Sequence, residues 1–139
     1  MEARLATLDD VNDLFLLNAL FENKTTIELL KKSLVENNRE VVCIAFVDGT
    51  AAGYCTGLIV ESMCYSQNRA DIESLYVRDE YRNQGVGRAL MTCLEEALAA
   101  RGICHFHIVT RKDNKGSSAL YTSLGYNVTG EILFDKTIC

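Results

Sequence analysis

The chain has 139 residues, 48% apolar and 24% charged, which excludes intrinsic disorder and fits one domain spanning 1–139. At this length roughly two-thirds of the unfolded surface can be buried, so the core needs no disulfide or metal staple. Fourteen basic against nineteen acidic groups leave a net charge of −5, which argues against nucleic acid or an anionic membrane as partner. The longest apolar run, Val41 to Val47, is seven residues, too short to cross a bilayer. The first residues carry no signal-peptide pattern, so a cytoplasmic location is expected.

Charge is uneven along the chain. Residues 78–112 hold six basic and four acidic groups, whereas the remainder holds eight basic and fifteen acidic. One short segment is thus suited to an anion, and the rest of the surface favours cations. The six cysteines lie in apolar runs without C-x-x-C spacing, so they read as reduced, buried small hydrophobes.

The elements follow in chain order. Arg4–Thr7 reads as a first strand, and Leu8-Asp9-Asp10 opens a helix whose apolar face carries Val11, Leu14, Phe15 and Asn18. Thr26–Asn37 reads as a second helix through Ile27, Leu30 and Leu34. Strands follow at 41–47 and 51–61, joined by the hairpin signal Asp48-Gly49. A loop at 65–68 leads to a strand at 70–77, where a period of two puts Asp71, Glu73, Leu75 and Val77 on one face. Val86–Arg101 is the best helix, with the stripe Leu90, Leu94, Ala97, Leu98 and a stop at Gly102. Cys104–Thr110 reads as a strand, 115–124 as a helix closing at Gly125, and 126–129 and 131–138 as final strands. The order predicts a mixed α/β sheet covered by helices.

The chemistry concentrates between Leu75 and Leu90. A strand ends, a polar turn follows, and Gly85 and Gly87 open a strongly amphipathic helix. A helix start offers N–H groups without intrahelical partners, and glycine lets a phosphate approach the backbone. Arg82 and Arg88 bracket the turn. A diphosphate held by main-chain donors from Asn83 to Arg88 is the physical prediction. A Walker loop is excluded because no Gly-Lys-Ser/Thr follows, and a dinucleotide fingerprint because Leu90 stands where a small residue is needed. Taken alone, a Gly-x-Gly turn that binds nothing fits equally well.

Arg82-Asn83-Gln84-Gly85-Val86-Gly87, placed after Leu75-Tyr76-Val77, closely resembles the central R/Q-x-x-G-x-G/A motif of the GCN5-related N-acetyltransferase (GNAT) family. Asn114, Ala119-Leu120-Tyr121 and Leu124-Gly125-Tyr126 resemble that family's downstream segment, and Arg4–Thr7 with Asp9-Asp10 resembles its opening. The resemblance spans essentially the whole chain. It implies a mixed, mostly antiparallel central sheet with splayed parallel strands, flanked by helices, and acetyl-CoA as acyl donor. The segment Leu75-Tyr76-Val77 would then hold the pantetheine arm through its backbone. Asn83, Gln84, Gly85, Val86, Gly87 and Arg88 would hold the pyrophosphate, and Asn114 would contact the pantetheine or shape its pocket.

An amine attacking a thioester needs a base for its proton, a donor for the oxyanion and an acid for the thiolate. Glu73 resembles the catalytic glutamate of polyamine-type members and is the candidate base, acting through water. Asp71 stands where other members put their acid, so one carboxylate can be base and the other an ammonium anchor. Carboxylates that only pair with arginine at a sheet edge are the plain alternative. Tyr121 matches the family's general acid, since a phenol stays protonated at neutral pH, and it would also touch the cofactor. The Val77 N–H is the expected oxyanion donor.

His105 and His107 share a strand face but have no third ligand at suitable spacing, so no metal site is expected. Neither Cys93 nor Cys104 has an orienting partner for nucleophilic catalysis. Tyr54, Tyr65 and Phe134 fit either the core or an acceptor site. The partners implied are acetyl-CoA and an amine, and dimers are frequent in similar proteins. A small cationic amine suits the acidic remainder of the surface. The alternatives are a protein N-terminus or lysine as acceptor, or a non-catalytic acyl-CoA-binding module.

Overall fold

A computed structural model describes residues 1–139, as two compact units, Met1–Val109 and Thr110–Cys139. The first unit is built on a five-stranded sheet in the order β1-β2-β3-β4-β5. Its strands are β1 (Glu2–Leu5), β2 (Glu40–Val47), β3 (Thr50–Val60), β4 (Arg69–Val77) and β5 (Phe106–Ile108). All neighbours are antiparallel except β4 and β5, which run parallel. The tight turn between β2 and β3 has positive φ at both Asp48 (49°) and Gly49 (80°), the conformation a two-residue hairpin demands.

Helices α1 (Val11–Leu20) and α2 (Ile27–Glu36) cover one face of this sheet. Leu14 and Leu17 of α1 pack with Ile44, Ala51 and Tyr54, and Leu30 and Leu34 of α2 join them. Phe15 departs from the expected face and is 40% exposed, because Leu17 takes the buried position. Thr26 caps α2 by accepting a hydrogen bond from the Leu29 N–H at 3.1 Å.

Helix α3 (Val86–Ala99) covers the other face. Its stripe Val86, Leu90, Met91, Leu94 and Leu98 is fully buried, each side chain contributing about 1.5–3 kcal/mol. Gly57 is needed there, because a Cβ would stand 3.2 Å from Leu98 Cδ1. Gly102, at φ 82°, ends the run after α3. No helix is long and apolar enough to cross a membrane.

Only part of the cysteine reading holds. Cys43 and Cys55 are buried and Cys93 is half-buried, but Cys64, Cys104 and Cys139 are exposed. The thiols of Cys43 and Cys93 lie 3.1 Å apart. A hydrogen bond with Cys55 and burial push Cys43 up, and burial pushes Cys93 up to about 12, so both stay protonated at neutral pH.

In the second unit α4 (Lys115–Ser123) starts on Asn114, whose side chain accepts from the Ser117 N–H at 3.1 Å. It ends where Gly125 turns to φ 96° and the Tyr126 N–H reaches the Tyr121 carbonyl at 3.0 Å. The strands expected at 126–129 and 131–138 do not form. Alternation identifies side chains that could share a face, but a strand exists only when its backbone is paired. No ladder forms here, and Val128, Ile132, Leu133, Phe134 and Ile138 all remain exposed.

The opening of the chain is fastened by charge. Arg4 grips the buried Asp10 through two hydrogen bonds of 2.7 and 2.9 Å, and the Thr7 N–H adds a third at 2.8 Å. The Arg4 hydrogen bond, ahead of that from Thr7, holds the Asp10 carboxyl below the usual carboxylate range despite burial. Its contribution to stability is therefore present above the ordinary carboxylate pKa, about 3.9, and is lost as pH falls through the lowered native value. Asp10→Asn should lower stability by about 1–3 kcal/mol at neutral pH, with the gap to wild type closing in acid. Urea denaturation at pH 7 and below pH 4 checks this, and a pH-independent gap would contradict it.

Candidate active site

The site is governed by one irregularity in β4. Thr56 pairs with Ser74, but Gly57 pairs with Ile72, so Glu73 is an extra residue without a partner in β3. Such a bulge reverses the inward–outward alternation of the strand. Before it, Ile72 pairs with Gly57 and faces α3, while Asp71 pairs with Leu58 and faces the α1/α2 side. After it, Tyr76 pairs with Tyr54 on the α1/α2 side, while Leu75 pairs with Cys55, whose thiol donates to the Leu90 carbonyl of α3.

This corrects the period-two reading. Asp71 does not share a face with Leu75 and Val77, because the bulge at Glu73 intervenes. Glu73 and Ser74 instead both border a cleft of about 800 Å³ between α1, α2 and the sheet. Tyr54, Thr56 and Glu40 also line it.

The two candidate carboxylates differ in company. Asp71 accepts from the Arg69 Nε at 3.0 Å and lies 3.9 Å from the Nδ1 of His107. Glu73 is exposed to the cleft and enters no ion pair. Glu40, at the start of β2, accepts a hydrogen bond from the Ser33 hydroxyl of α2.

A buried polar network closes the inner end of the cleft, and its partners were not legible in the sequence. The Tyr54 hydroxyl donates to Asn18 Oδ1 at 2.9 Å, and Asn23 Nδ2 reaches both, at 2.8 and 2.9 Å. Asn18 in turn donates to the Leu14 carbonyl at 2.8 Å. Burial pushes the Tyr54 phenol up to about 12, so it is a fixed neutral donor. Phe21 stacks on Tyr76 with ring centroids 5.0 Å apart and meets Tyr54 edge-on. The only hint was an Asn at a buried helical position. Tyr65 is exposed in its loop, and Phe134 is exposed in the second unit.

Beyond β4 the chain makes a short helical turn at Asp79–Tyr81 and then enters α3 through two left-handed residues, Asn83 (φ 61°) and Gly85 (φ 84°). Gly85 occupies the cap position and has no side chain to satisfy the first-turn amides of α3. A Cβ built on Gly85 would have nothing within 4 Å, so the backbone at this turn is open to an approaching group. The residues therefore fit an anion such as a diphosphate. Arg82 braces this turn, with its Nε donating to the Val77 carbonyl at 3.0 Å and a nitrogen 3.1 Å from Asp79. Arg78 forms an ion pair with Glu80 at 2.7 Å.

In the second unit, Asn114 commits its side-chain oxygen to capping α4. Tyr121 is half-buried on α4, its ring 6.1 Å from that of Tyr126. His107 on β5 and His105 just before it bring their Nε2 atoms to 3.0 Å.

A family model described as the acetyltransferase (GNAT) family matches residues 8–126. An acetyltransferase of Yersinia pestis (strain Pestoides F) is 28% identical over 143 aligned positions, covering 99% of this chain and 96% of that one. The structure of aminoglycoside acetyltransferase meta-AAC0020, from an uncultured soil metagenomic sample, matches with a TM-score of 0.85 at 19% identity, covering 99% and 95%. AAC(6')-Iy in complex with the bisubstrate analogue CoA-S-monomethyl-acetylneamine matches with a TM-score of 0.85 at 19% identity, covering 99% and 98%. At such identities the two structures bear on the fold alone.

Close approach of β3 to β4 beside the bulge depends on Gly53. A Cβ there would collide with the Tyr76 backbone carbonyl and stand 3.2 Å from Leu90 Cδ1. Gly53→Ala should therefore destabilise the protein by about 1–3 kcal/mol, seen as a lower urea midpoint. An unchanged midpoint would show that the strands separate at no cost.

Proposed function

The chain belongs to the acetyltransferase (GNAT) family, and from that premise we propose that it transfers acetyl from acetyl-CoA to the primary amine of a small cationic acceptor. The observation that carries this reading is the Glu73 carboxylate, without an ion-pair partner, set by a bulge against a cleft of about 800 Å³. Glu36 and Glu40 also line that cleft, against a single Lys32, so its charge favours a cation. A volume of this order suits a small molecule. The two neighbouring structures are of aminoglycoside acetyltransferases, which is consistent with such an acceptor.

The donor's diphosphate is assigned to the turn Asn83–Arg88, where the main-chain amides before and within the first turn of α3 meet it. Arg82 keeps that turn in shape, and the backbone of Leu75, Tyr76 and Val77 holds the pantetheine arm. Acetyl-CoA supplies an activated acyl carbon, and the protein supplies proton transfer and position.

Glu73 takes a proton from the acceptor ammonium through a water, freeing its lone pair. The nitrogen then forms its bond to the acyl carbon while the carbon–sulfur bond breaks. The Val77 N–H steadies the oxygen on which charge builds. Tyr121 gives its phenolic proton to the departing thiolate, and the second proton, shed by the acylated nitrogen, returns to the phenolate through water. Asp71, already engaged with Arg69, anchors a second positive group of the acceptor. Asn114, at the cap of α4, contacts the pantetheine or shapes its pocket, and residues 1–139 act as one N-acetyltransferase domain.

Calorimetry with acetyl-CoA tests the donor, and release of CoA thiol across polyamines, aminoglycosides, amino acids and peptide N-termini tests the acceptor. Binding of acetyl-CoA with turnover of a small amine is expected. Turnover of peptides alone would move the acceptor to proteins, and binding without any turnover would leave a sensing module. Glu73→Gln should reduce kcat by about 100-fold or more while acetyl-CoA affinity is retained. Full activity in that variant would remove Glu73 from the base role. Tyr121→Phe should reduce kcat by about tenfold or more without altering the pH dependence assigned to the base.

A further inference from the structure

A second side-chain pair lies at the outer strand of the sheet, next to Asp71. We propose that His105 and His107 together chelate one divalent first-row transition ion of the nickel or copper type. His107 lies in β5 with the half-exposed side chain of an edge strand, and His105 directly precedes that strand and is exposed. Residues two apart on a strand project to the same side. Their Nε2 atoms stand 3.0 Å apart, while the ring centroids are 4.8 Å apart, so the nitrogens lean towards each other as the rings diverge.

That spacing is what a chelate requires. An ion at the usual imidazole distance of ~2.0–2.1 Å from each nitrogen sees the pair at an angle of about 90–100°. Neighbouring positions of a tetragonal or octahedral ion have this angle, whereas tetrahedral zinc prefers a wider one. Nickel and copper are therefore the fitting class.

The surroundings also orient the ring of His107. Register pairs His107 with Asp71 across the parallel ladder. The Nδ1 of His107 faces the Asp71 carboxylate at 3.9 Å. A carboxylate on that side neighbours the ring nitrogen that a metal at Nε2 leaves unused. The Arg69 Nε holds the same carboxylate oxygen at 3.0 Å. The structure contains no group of three or more metal-ligating side chains, so water completes the coordination. An exchangeable, solvent-facing ion follows, in place of a structural one.

The chain has only two histidines, which makes the test direct. Tag-free full-length protein is titrated with nickel chloride in a non-chelating buffer, with calorimetry and the imidazole proton signals as readouts. One nickel ion per chain is expected, with both histidine signals broadening together. His105→Ala and His107→Ala should each lose this event, with the circular dichroism spectrum unchanged. Asp71→Asn should weaken it by about 10- to 100-fold through the freed ring. Cys104→Ser should leave it intact, although that thiol is exposed beside the pair. Broadening of one histidine alone would overturn the proposal. So would binding that survives in the double histidine variant, binding lost with Cys104, or the absence of any binding heat. None of these outcomes depends on acyl transfer.

Discussion

One residue too many in β4 sets what the first unit can do. Without the bulge at Glu73, the alternation that buries Ala70 and Ile72 against α3 would leave Ser74 and Tyr76 on that side as well. With it, the strand changes hands halfway, and Tyr76 can stack on Phe21 over the α1/α2 core. The irregularity is held from both sides. Gly57 opposite the bulge lets Leu94 and Leu98 close over β3, and Gly53 further along lets β3 lie against the Tyr76 carbonyl. Neither position tolerates a Cβ without movement of a neighbour. A bulge next to a cleft re-aims side chains while the rest of the ladder keeps its register.

The helix entry that follows depends on the same strand. Val77 ends β4, and its carbonyl accepts the Arg82 hydrogen bond that ties the polar turn back to the sheet. Two left-handed residues then swing the chain into α3 with its amides uncapped. Asn at 83 tolerates such a φ better than most residues, and Gly at 85 adopts it freely. The buried face of α3 fixes the direction of those amides, because Val86 in the first turn is already fully enclosed. Packing behind the helix thereby orients the anion-accepting end in front of it.

How far this was legible follows from the kind of signal each element leaves. Helix α3 announced itself, since a leucine stripe at helical spacing between two glycines has few other solutions. The α2 cap and the hairpin at Asp48-Gly49 were legible for the same reason, being local chemistry. The bulge was not, because an inserted Glu or Ser changes no composition and only a partner strand reveals it. Nor was the Arg4–Asp10 pair, six residues apart but joined through the turn at Thr7. The residues 126–138 misled in the opposite sense. Their apolar pattern suits a strand, yet pairing is decided by the backbone neighbour available, which no single segment encodes. Asp71 and Glu73 looked equivalent in sequence, and only register separates them.

That separation bears on which carboxylate does chemistry. A base must be free to meet the proton it takes, so a partner already at hydrogen-bond distance competes for it. Asp71 has one, the Arg69 guanidinium, and the same oxygen lies 3.9 Å from the His107 Nδ1. Glu73 has neither, although it is only two positions away, because the bulge turns it towards the cleft. The same strand therefore offers two carboxylates with divided duties. One is already engaged by a guanidinium. The other faces a cleft whose charged lining is three glutamates, itself included, against one lysine. The difference arises from backbone register.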